Sequence, residues 1–351
     1  MFRGITRPYL YTRVTLMSRR LAGPGDVEKA IDTPMAELAP LLAALGAESL
    51  VAESSEEVPR FREQRRLSIL LNEILVLARP CIKQHREFLL YWTHALELFN
   101  LKAILRGRIA GEPAAAIREQ LLDMGPFAAL PVEALLRADS AAEVLHLLES
   151  TPFAELATQA RRVLEQGRDL FFLDTSFDRR FYGGLAKRAA VLETKDPVSF
   201  RRLMAAIIDG TNLVWLLRYR FVYRLPPAET YYLLIPAGYD LASRHLKRLT
   251  ALESVPEAIA SLPRPLGPLL AGADTIDEVA RRLDANTRTI ARRVIRSSES
   301  SFIRAFAYIL LRAGDLLVLR GVVKAKELGL PSDLARSALT SRRPGAEVAR
   351  A

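Results

Sequence analysis

The chain has 351 residues, of which 50% are hydrophobic and 26% are charged, and its net charge at pH 7 is +10. The length predicts two or three domains with sizeable cores. The single cysteine, Cys81, excludes an intramolecular disulfide and suits a reducing compartment. No run of about 18 apolar residues lacks charges, so no membrane-spanning helix is expected, and the N-terminus has no apolar signal core.

Helical periodicity extends over nearly the whole chain, and no alternating strand pattern is flanked by hairpin turns, so the sequence predicts an all-α fold. A first helix is predicted over residues 9–21, ended by Gly23 and the proline that follows it. Short helices over 26–46 and an exposed acidic link over 52–60 come next. A longer helix is predicted over 60–79.

Long helices follow, separated by shorter ones. The helix over residues 83–110 is stopped by Gly111 and Pro113, because glycine tolerates a left-handed cap and proline cannot continue a helix. Another long helix begins at Asp196 and Pro197, a capping residue and a first-turn proline. Short helices separated by prolines are expected between these two long helices, and again between the second long helix and a third one.

One block of sequence recurs three times without gaps, at offsets of 112 and 106 residues. Each copy begins with an acid (Glu97, Asp209 or Asp315), continues as an apolar stripe and ends with two bases. The same offsets place Phe88, Phe200 and Phe306 in register. Repetition predicts three similar units. We assign them to residues 1–125, 126–235 and 236–335, and we expect residues 336–351 to form a disordered tail.

Within one copy, the acid and the last base are eleven residues apart, roughly 16 Å along a helix, so they cannot pair with each other. Each therefore needs a partner on another helix, in another repeat or on another protein. A base at a helix C-terminus is also favoured by the macrodipole, by about 0.3–1 kcal/mol. Two roles therefore remain open for the recurrent bases: stabilising a neighbouring helix or contacting a partner protein. The six bases are Arg106, Arg108, Arg218, Arg220, Lys324 and Lys326.

Several segments resemble the C subunit of prokaryotic V/A-type ATPases, which corresponds to the d subunit of eukaryotic V-ATPases. They are the Tyr- and Arg-bearing helix over residues 9–18, the Asp- and aromatic-rich run over 173–185, and the repeated block at 209–220 with its Asn212-Leu213 pair. An Ile-Pro-Ala-Gly turn over 235–238 follows. The resemblance covers about residues 5–335. The third copy departs from it, with Val318 in place of the asparagine.

The resemblance implies a funnel-shaped, all-helical body with pseudo-threefold symmetry, peripheral to the membrane on its cytoplasmic face. It implies a rotor component that holds the foot of the central shaft and sits on the proteolipid ring, coupling ATP turnover to proton or sodium transport. Such a protein has no active site, cofactor or metal of its own. The six recurrent bases are then candidates for contacts with these partners.

The sequence gives little support for an enzyme. The chain lacks a Gly-x-x-x-x-Gly-Lys-Ser/Thr phosphate loop, and its four histidines show no metal-ligand spacing. The alternative is DNA binding, because residues 275–296 mimic a helix-turn-helix whose second helix would carry Arg288, Arg292, Arg293 and Arg296. A generic helical scaffold is a third possibility. We prefer the rotor role, for which no nucleic acid is expected as a partner.

Overall fold

The computed structural model describes residues 6–51, 59–165 and 170–341, and these ranges contain helices and no strand, which confirms the all-α prediction. None of the described helices is both long and apolar enough to cross a membrane. The helices are α1 (Thr6–Met17), α2 (Pro24–Asp32), α3 (Leu38–Ala44), α4 (Pro59–Ala78), α5 (Lys83–Ile109), α6 (Ala114–Gln120), α7 (Val132–Leu135), α8 (Ala141–Leu147), α9 (Ala154–Glu165), α10 (Leu170–Ala190), α11 (Pro197–Phe221), α12 (Pro227–Leu233), α13 (Ser243–Thr250), α14 (Val255–Ala260), α15 (Leu266–Leu270), α16 (Ile276–Ser297), α17 (Ser301–Glu327) and α18 (Ser332–Ser341). Short 3-10 turns lie at Ser18–Arg20, Met35–Glu37, Glu48–Leu50, Gly125–Phe127 and Leu148–Ser150.

Six of these helices form a closed ring. Consecutive helices pair as α4 with α5, α10 with α11 and α16 with α17. Each pair contacts the next, through α5 with α10, α11 with α16, and α17 with α4. The sequence offsets of 112 and 106 residues carry α4 onto α10 and α10 onto α16 to within about one residue at each end. The division into three units at residues 125 and 235 stays a prediction.

The three phenylalanines that the repeat places in register meet near the N-terminal ends of α5, α11 and α17. The ring centroid of Phe88 lies 5.6 Å from that of Phe200 and 5.1 Å from that of Phe306, and Phe200 and Phe306 are 6.4 Å apart. Phe302 packs against Phe88 and Phe200, and all four rings are buried. Aromatic contacts of this kind stabilise a fold beyond the area that they bury, so this cluster fixes one end of the ring.

Helices α2 and α18 meet beside α17. In α18, Arg336 bonds to Glu28, at 2.8 Å, and to Asp32, both on α2. Arg118 of α6 stands at the equivalent repeat position, 218 residues earlier, and bonds to Glu133 of α7. The N-terminal segment therefore occupies, next to α17 and α18, the place that α7 occupies next to α5 and α6.

Helix α18 overlaps the tail that the sequence predicted to be disordered. Residues 336–341 belong to α18, because Arg336 is held by its ion pairs and Leu339 packs over Gly321 of α17. Residues 342–351 lie outside the described part of the chain, as do residues 52–58 of the predicted acidic link.

Replacing Phe306 with alanine should lower the free energy of unfolding by about 3–5 kcal/mol, since the fully buried ring would leave a cavity at the centre of the cluster. Chemical denaturation measures this change. The matched control is Val191→Ala, at a position that is 80% exposed, which should shift the value by no more than about 0.5 kcal/mol. Equal effects of the two changes would contradict the central role of the cluster.

Candidate functional site: the central cavity and its charged wall

A cavity of about 510 Å³ lies inside the ring, lined by α5, α10, α11, α16 and α17. Its inner end is closed by Trp92, whose ring packs edge-on against Phe306 at 5.4 Å. Its other end lies toward the C-termini of α5 and α11, where the lining side chains of Arg106 and Tyr223 are 49% and 52% exposed. Along α11 the wall runs from Ala206 to Tyr219, about 20 Å at 1.5 Å per residue. We call the exposed end the mouth.

Ion pairs line the wall on the α5 and α10 side. Lys102 Nζ lies 2.6 Å from Asp178 Oδ1, with both side chains largely buried, and Arg106 lies 3.6 Å from Asp174. Burial raises the pKa of Asp178 to about 6, although the charge of Lys102 opposes the shift. Burial also raises the pKa of Asp284, on the α16 side. The wall is thus charged but internally compensated.

The recurrent acids are not free charges in the cavity, because their carboxylates bind backbone N–H groups. Each carboxylate accepts hydrogen bonds from peptide N–H groups just before a short helix. Burial raises the pKa of all three carboxyls, and these bonds oppose the shift. The bonds run from Ala129 and Leu130, before α7, to Glu97; from Tyr239 and Asp240, before α13, to Asp209; and from Ala22, before α2, to Asp315.

The last base of each copy holds the other end of the same short helix. Its side chain donates a hydrogen bond to a backbone carbonyl at the C-terminal end of that helix. The acid and the base together therefore provide hydrogen-bond partners for backbone groups at both ends of the short helix. Helix termini leave N–H and C=O groups without intrahelical partners, and the macrodipole favours this order of charges. The donors and acceptors are Arg108 with Leu136 O, Arg220 with Thr250 O at 2.6 Å, and Lys326 with Ile31 O at 2.7 Å.

We call this arrangement the clamp: one long helix gripping a short helix at both ends. The sequence established that the acid and the base of one copy could not pair with each other. It did not show that both bind the same short helix. Their spacing of roughly 16 Å was the available signal, because it slightly exceeds the lengths of α13 and α2, which have eight and nine residues, although α7 has only four. In the third clamp the short helix is α2, some 300 residues away along the chain.

The recurrent asparagine of the first two copies belongs to the same system. Asn100 donates to Leu122 O at 2.7 Å and accepts from Leu122 N at 2.8 Å, and Asn212 makes the same pair of bonds with Ile235. Val318 cannot form such bonds. The third long helix instead relies on α2 and on Arg288, which bonds to Asp315.

The six candidate bases thus divide into two groups. Arg108, Arg220 and Lys326 are engaged in the clamps. Of the upstream bases, Arg106 and Arg218 line the cavity, and Lys324 is half-buried elsewhere on α17. Contact of any of these bases with another protein stays a prediction.

The stretch resembling a helix-turn-helix is one continuous helix, α16, so it lacks the turn that the motif requires. Two of its arginines are used inside the protein: Arg288 bonds to Asp315, and Arg292 donates to Ala22 O at 2.9 Å. Arg293 and Arg296 are exposed.

Comparison with known proteins decides the family. The family model described as ATP synthase (C/AC39) subunit matches residues 10–338. The chain belongs to the ATP synthase C/AC39 family. The C subunit of the A-type ATP synthase of Haloferax volcanii is 25% identical over 348 residues, which cover 94% of this chain and 96% of that protein. The corresponding protein of Methanosarcina mazei is 24% identical over 251 residues, covering 69% of this chain and 67% of the relative.

The resemblance of the sequence to the C subunit of V/A-type ATPases is therefore confirmed at the level of the family. Most of the family match coincides with the described structure, and it includes all six ring helices and all three clamps. Nothing in these comparisons favours DNA binding.

The wall of the cavity should make stability depend on pH. Because the pKa of Asp178 is raised in the fold, from 3.8 to about 6, its contribution to stability is present below about pH 4 and is lost as the pH rises through 6. At 1.36 kcal/mol per unit, the unfolding free energy of the native chain relative to that of Asp178→Asn should fall by about 2 kcal/mol from pH 4 to pH 7. Denaturant titrations at both pH values measure it, and a constant difference would show that Asp178 titrates normally.

The clamp predicts different effects for two neighbouring arginines. Arg220→Gln should lower the free energy of unfolding by about 2–3 kcal/mol, because carbonyls at Leu225 and Thr250 lose a charged donor. Arg218→Gln, at the cavity wall, should change it by less than about 1 kcal/mol. Thermal or chemical denaturation compares the two variants. A larger loss of stability for Arg218→Gln than for Arg220→Gln would contradict the stabilising role of the clamp.

Proposed function

We propose that this chain is the C subunit of the central rotor stalk of an A-type or V-type ATP synthase, a non-catalytic socket that couples the central shaft to the membrane rotor ring. The observation that carries the proposal is the cavity, enclosed by a ring of helices and open at one end. Family membership supports it, and so does the description of the relatives as C subunits of A-type ATP synthases. The complex would translocate protons or sodium ions.

The lining of the cavity suits the end of a protein shaft. Phe171, Trp215 and Tyr219 offer aromatic surface, and side chains of this type dominate the energetics of protein interfaces. Arg218 and Arg106 stand toward the mouth, and Arg106 is 49% exposed although Asp174 lies 3.6 Å away. Both would attract acidic residues on an entering partner. The paired charges deeper in the wall would limit the desolvation cost of covering it.

The body around the cavity has the stiffness that torque transfer needs. The ring is closed, and each of α5, α11 and α17 is tied to a short helix at both of that short helix's ends. At the seam between α17 and α4, the fully buried Arg312 binds Glu73 at 3.0 Å and the carbonyls of Arg20 and Gly46. Tyr308 donates to the same carboxylate at 2.7 Å. A force applied to one wall would be spread over the whole ring rather than shear one interface.

The remaining parts of the proposal concern place and chemistry. The protein would sit peripherally on the cytoplasmic face of the membrane, against the proteolipid ring. It would need no cofactor or metal and would catalyse no reaction itself. DNA binding is not favoured, since the helix that would read the groove is built into the ring through Arg288 and Arg292.

Purification of a tagged copy from its own cells should recover shaft and ring proteins, unaffected by nuclease, as native mass spectrometry would show. The double change Arg106→Glu and Arg218→Glu should weaken recovery of the shaft at least about tenfold, which corresponds to roughly 1.4 kcal/mol, because the charge at the mouth reverses.

The matched control is Arg244→Glu with Lys247→Glu, two exposed bases on the short helix α13. This control should leave recovery unchanged. Recovery of neither shaft nor ring with the native chain, or equal losses in the two double variants, would refute the proposal.

A further inference from the structure

Helix α1 stands outside the ring and is packed on one side only. Its buried residues are Leu10, Val14 and Met17, and its neighbours are α17 and α4. Arg304 of α17 also holds this helix, because its guanidinium donates to Thr15 Oγ1 at 2.9 Å. The cavity is lined by α5, α10, α11, α16 and α17, so the other side of α1 faces outward, away from the cavity.

The outward side of α1 and of the 3-10 turn that follows it carries one row of exposed side chains. Tyr9 and Leu16 are 52% and 51% exposed, and Arg13 and Arg20 are exposed as well. Spacings of four, three and four residues place these side chains on the same face. Tyrosine and arginine are enriched in protein interfaces and among the residues that dominate binding energy. The composition of the row is therefore that of a contact surface.

A groove of about 380 Å³ runs between this row and α4. Leu16, Met17 and Val76 supply its apolar lining, and Arg13 and Arg20 line it on the side of α1. We call it the seam groove, because it lies beside the contact between α17 and α4. An apolar floor bordered by charged side chains is the usual form of a site that accepts an amphipathic helix.

The seam groove carries a positive charge that the protein itself does not compensate. Residues 6–20 contain four arginines and no aspartate or glutamate. Glu73 also lines the groove, but the buried Arg312 binds its carboxylate at 3.0 Å, and Arg20 lies 3.8 Å away with its side chain 52% exposed. Among the residues that the structure describes, no carboxylate lies within ion-pair distance of Arg13.

We propose that the seam groove binds an acidic amphipathic helix of another protein. Arg13 and Arg20 are seven residues apart, roughly 10–12 Å along the axis, and carboxylates at positions i and i+7 of a partner helix are separated by about the same distance. Apolar side chains at i+3 and i+4 lie between those carboxylates on one face and would cover Leu16. Duplex DNA would use the arginines but would leave Leu16 and Val76 without an apolar partner.

The proposal concerns the outside of the ring and does not rest on the proposed function. Fluorescence anisotropy tests it, with the full chain titrated into a labelled synthetic helix that has glutamates at i and i+7 and leucines at i+3 and i+4. Binding should weaken as salt is added. A peptide of the same composition, with its second glutamate moved to i+5 on a different face, should bind at least about tenfold more weakly.

Two changes to the chain separate the charged contacts from the apolar one. Arg13→Gln with Arg20→Gln should weaken binding of the first peptide by about tenfold or more, because both of its carboxylates lose their partners. Leu16→Ser should weaken binding by about fivefold or more, because the partner's leucines lose apolar surface to cover. All three side chains are exposed, and circular dichroism will verify that each variant is folded.

Matched controls alter the same residue types elsewhere on the surface. They are Arg281→Gln with Arg293→Gln, two exposed arginines of α16, and Leu334→Ser, at a leucine of α18 that is 52% exposed. Both controls should bind the peptide as the native chain does.

Four outcomes overturn the proposal: no binding of the first peptide to the native chain, equal binding of the two peptides, losses in the controls equal to those in the groove variants, or no effect of Leu16→Ser. The last result, together with displacement of the peptide by duplex DNA, would assign the arginines to nucleic acid instead. Recovery of the shaft from cells is measured separately, so failure here is distinguishable from failure of the rotor function.

Discussion

The structure depends on one interaction that is made three times: a long helix grips a short helix through an acid at the amino end and a base at the carboxyl end. The groups that are gripped are backbone amides and carbonyls, which helix ends leave without partners. Without the acid, a buried amide would lack an acceptor, and without the base a carbonyl would lack its donor. The clamps therefore set where the short helices lie around the ring.

The third clamp differs from the others in how it is assembled. Its short helix is supplied by the N-terminal segment, and Lys326, Arg336 and Asp315 all reach across to that segment. Closing the clamp also closes the ring, since α17 then packs against both α1 and α4. For the socket proposed above, this closure would help to resist rotation of the contents, because an open ring would have one weak wall.

Much of the fold could be predicted from the sequence. The helical class and the register of Phe88, Phe200 and Phe306 followed from periodicity and repetition, and the structure places these rings in contact. The family followed from the order and spacing of motifs such as Asp209 to Arg220. These features are local or recur at a fixed offset, so a single sequence displays them.

The candidate site could be predicted only in part. The six bases look alike in the sequence, yet Arg220 is engaged with backbone and Arg218 lines the cavity two residues earlier, a distinction made by helix phase against neighbours that are distant in sequence. The role of α2 in the third clamp was not visible, because nothing in residues 24–32 shows which long helix they will join. The pairing of Lys102 with Asp178 was likewise hidden, because the two are 76 positions apart in the chain.

The contacts of the α2 segment with α17 and α18 have a consequence for biosynthesis. Asp315 and Arg336 bond to residues 293 and 308 positions earlier, so a ribosome adding about 5–20 residues per second leaves the first segment without its partners for roughly 15–60 s. During that interval the apolar side of α2, including Ala30 and Ile31, lacks the cover that α17 later provides. Until α17 and α18 have been synthesised, this apolar side stays exposed, and exposed apolar surface of this kind makes a folding intermediate prone to aggregation.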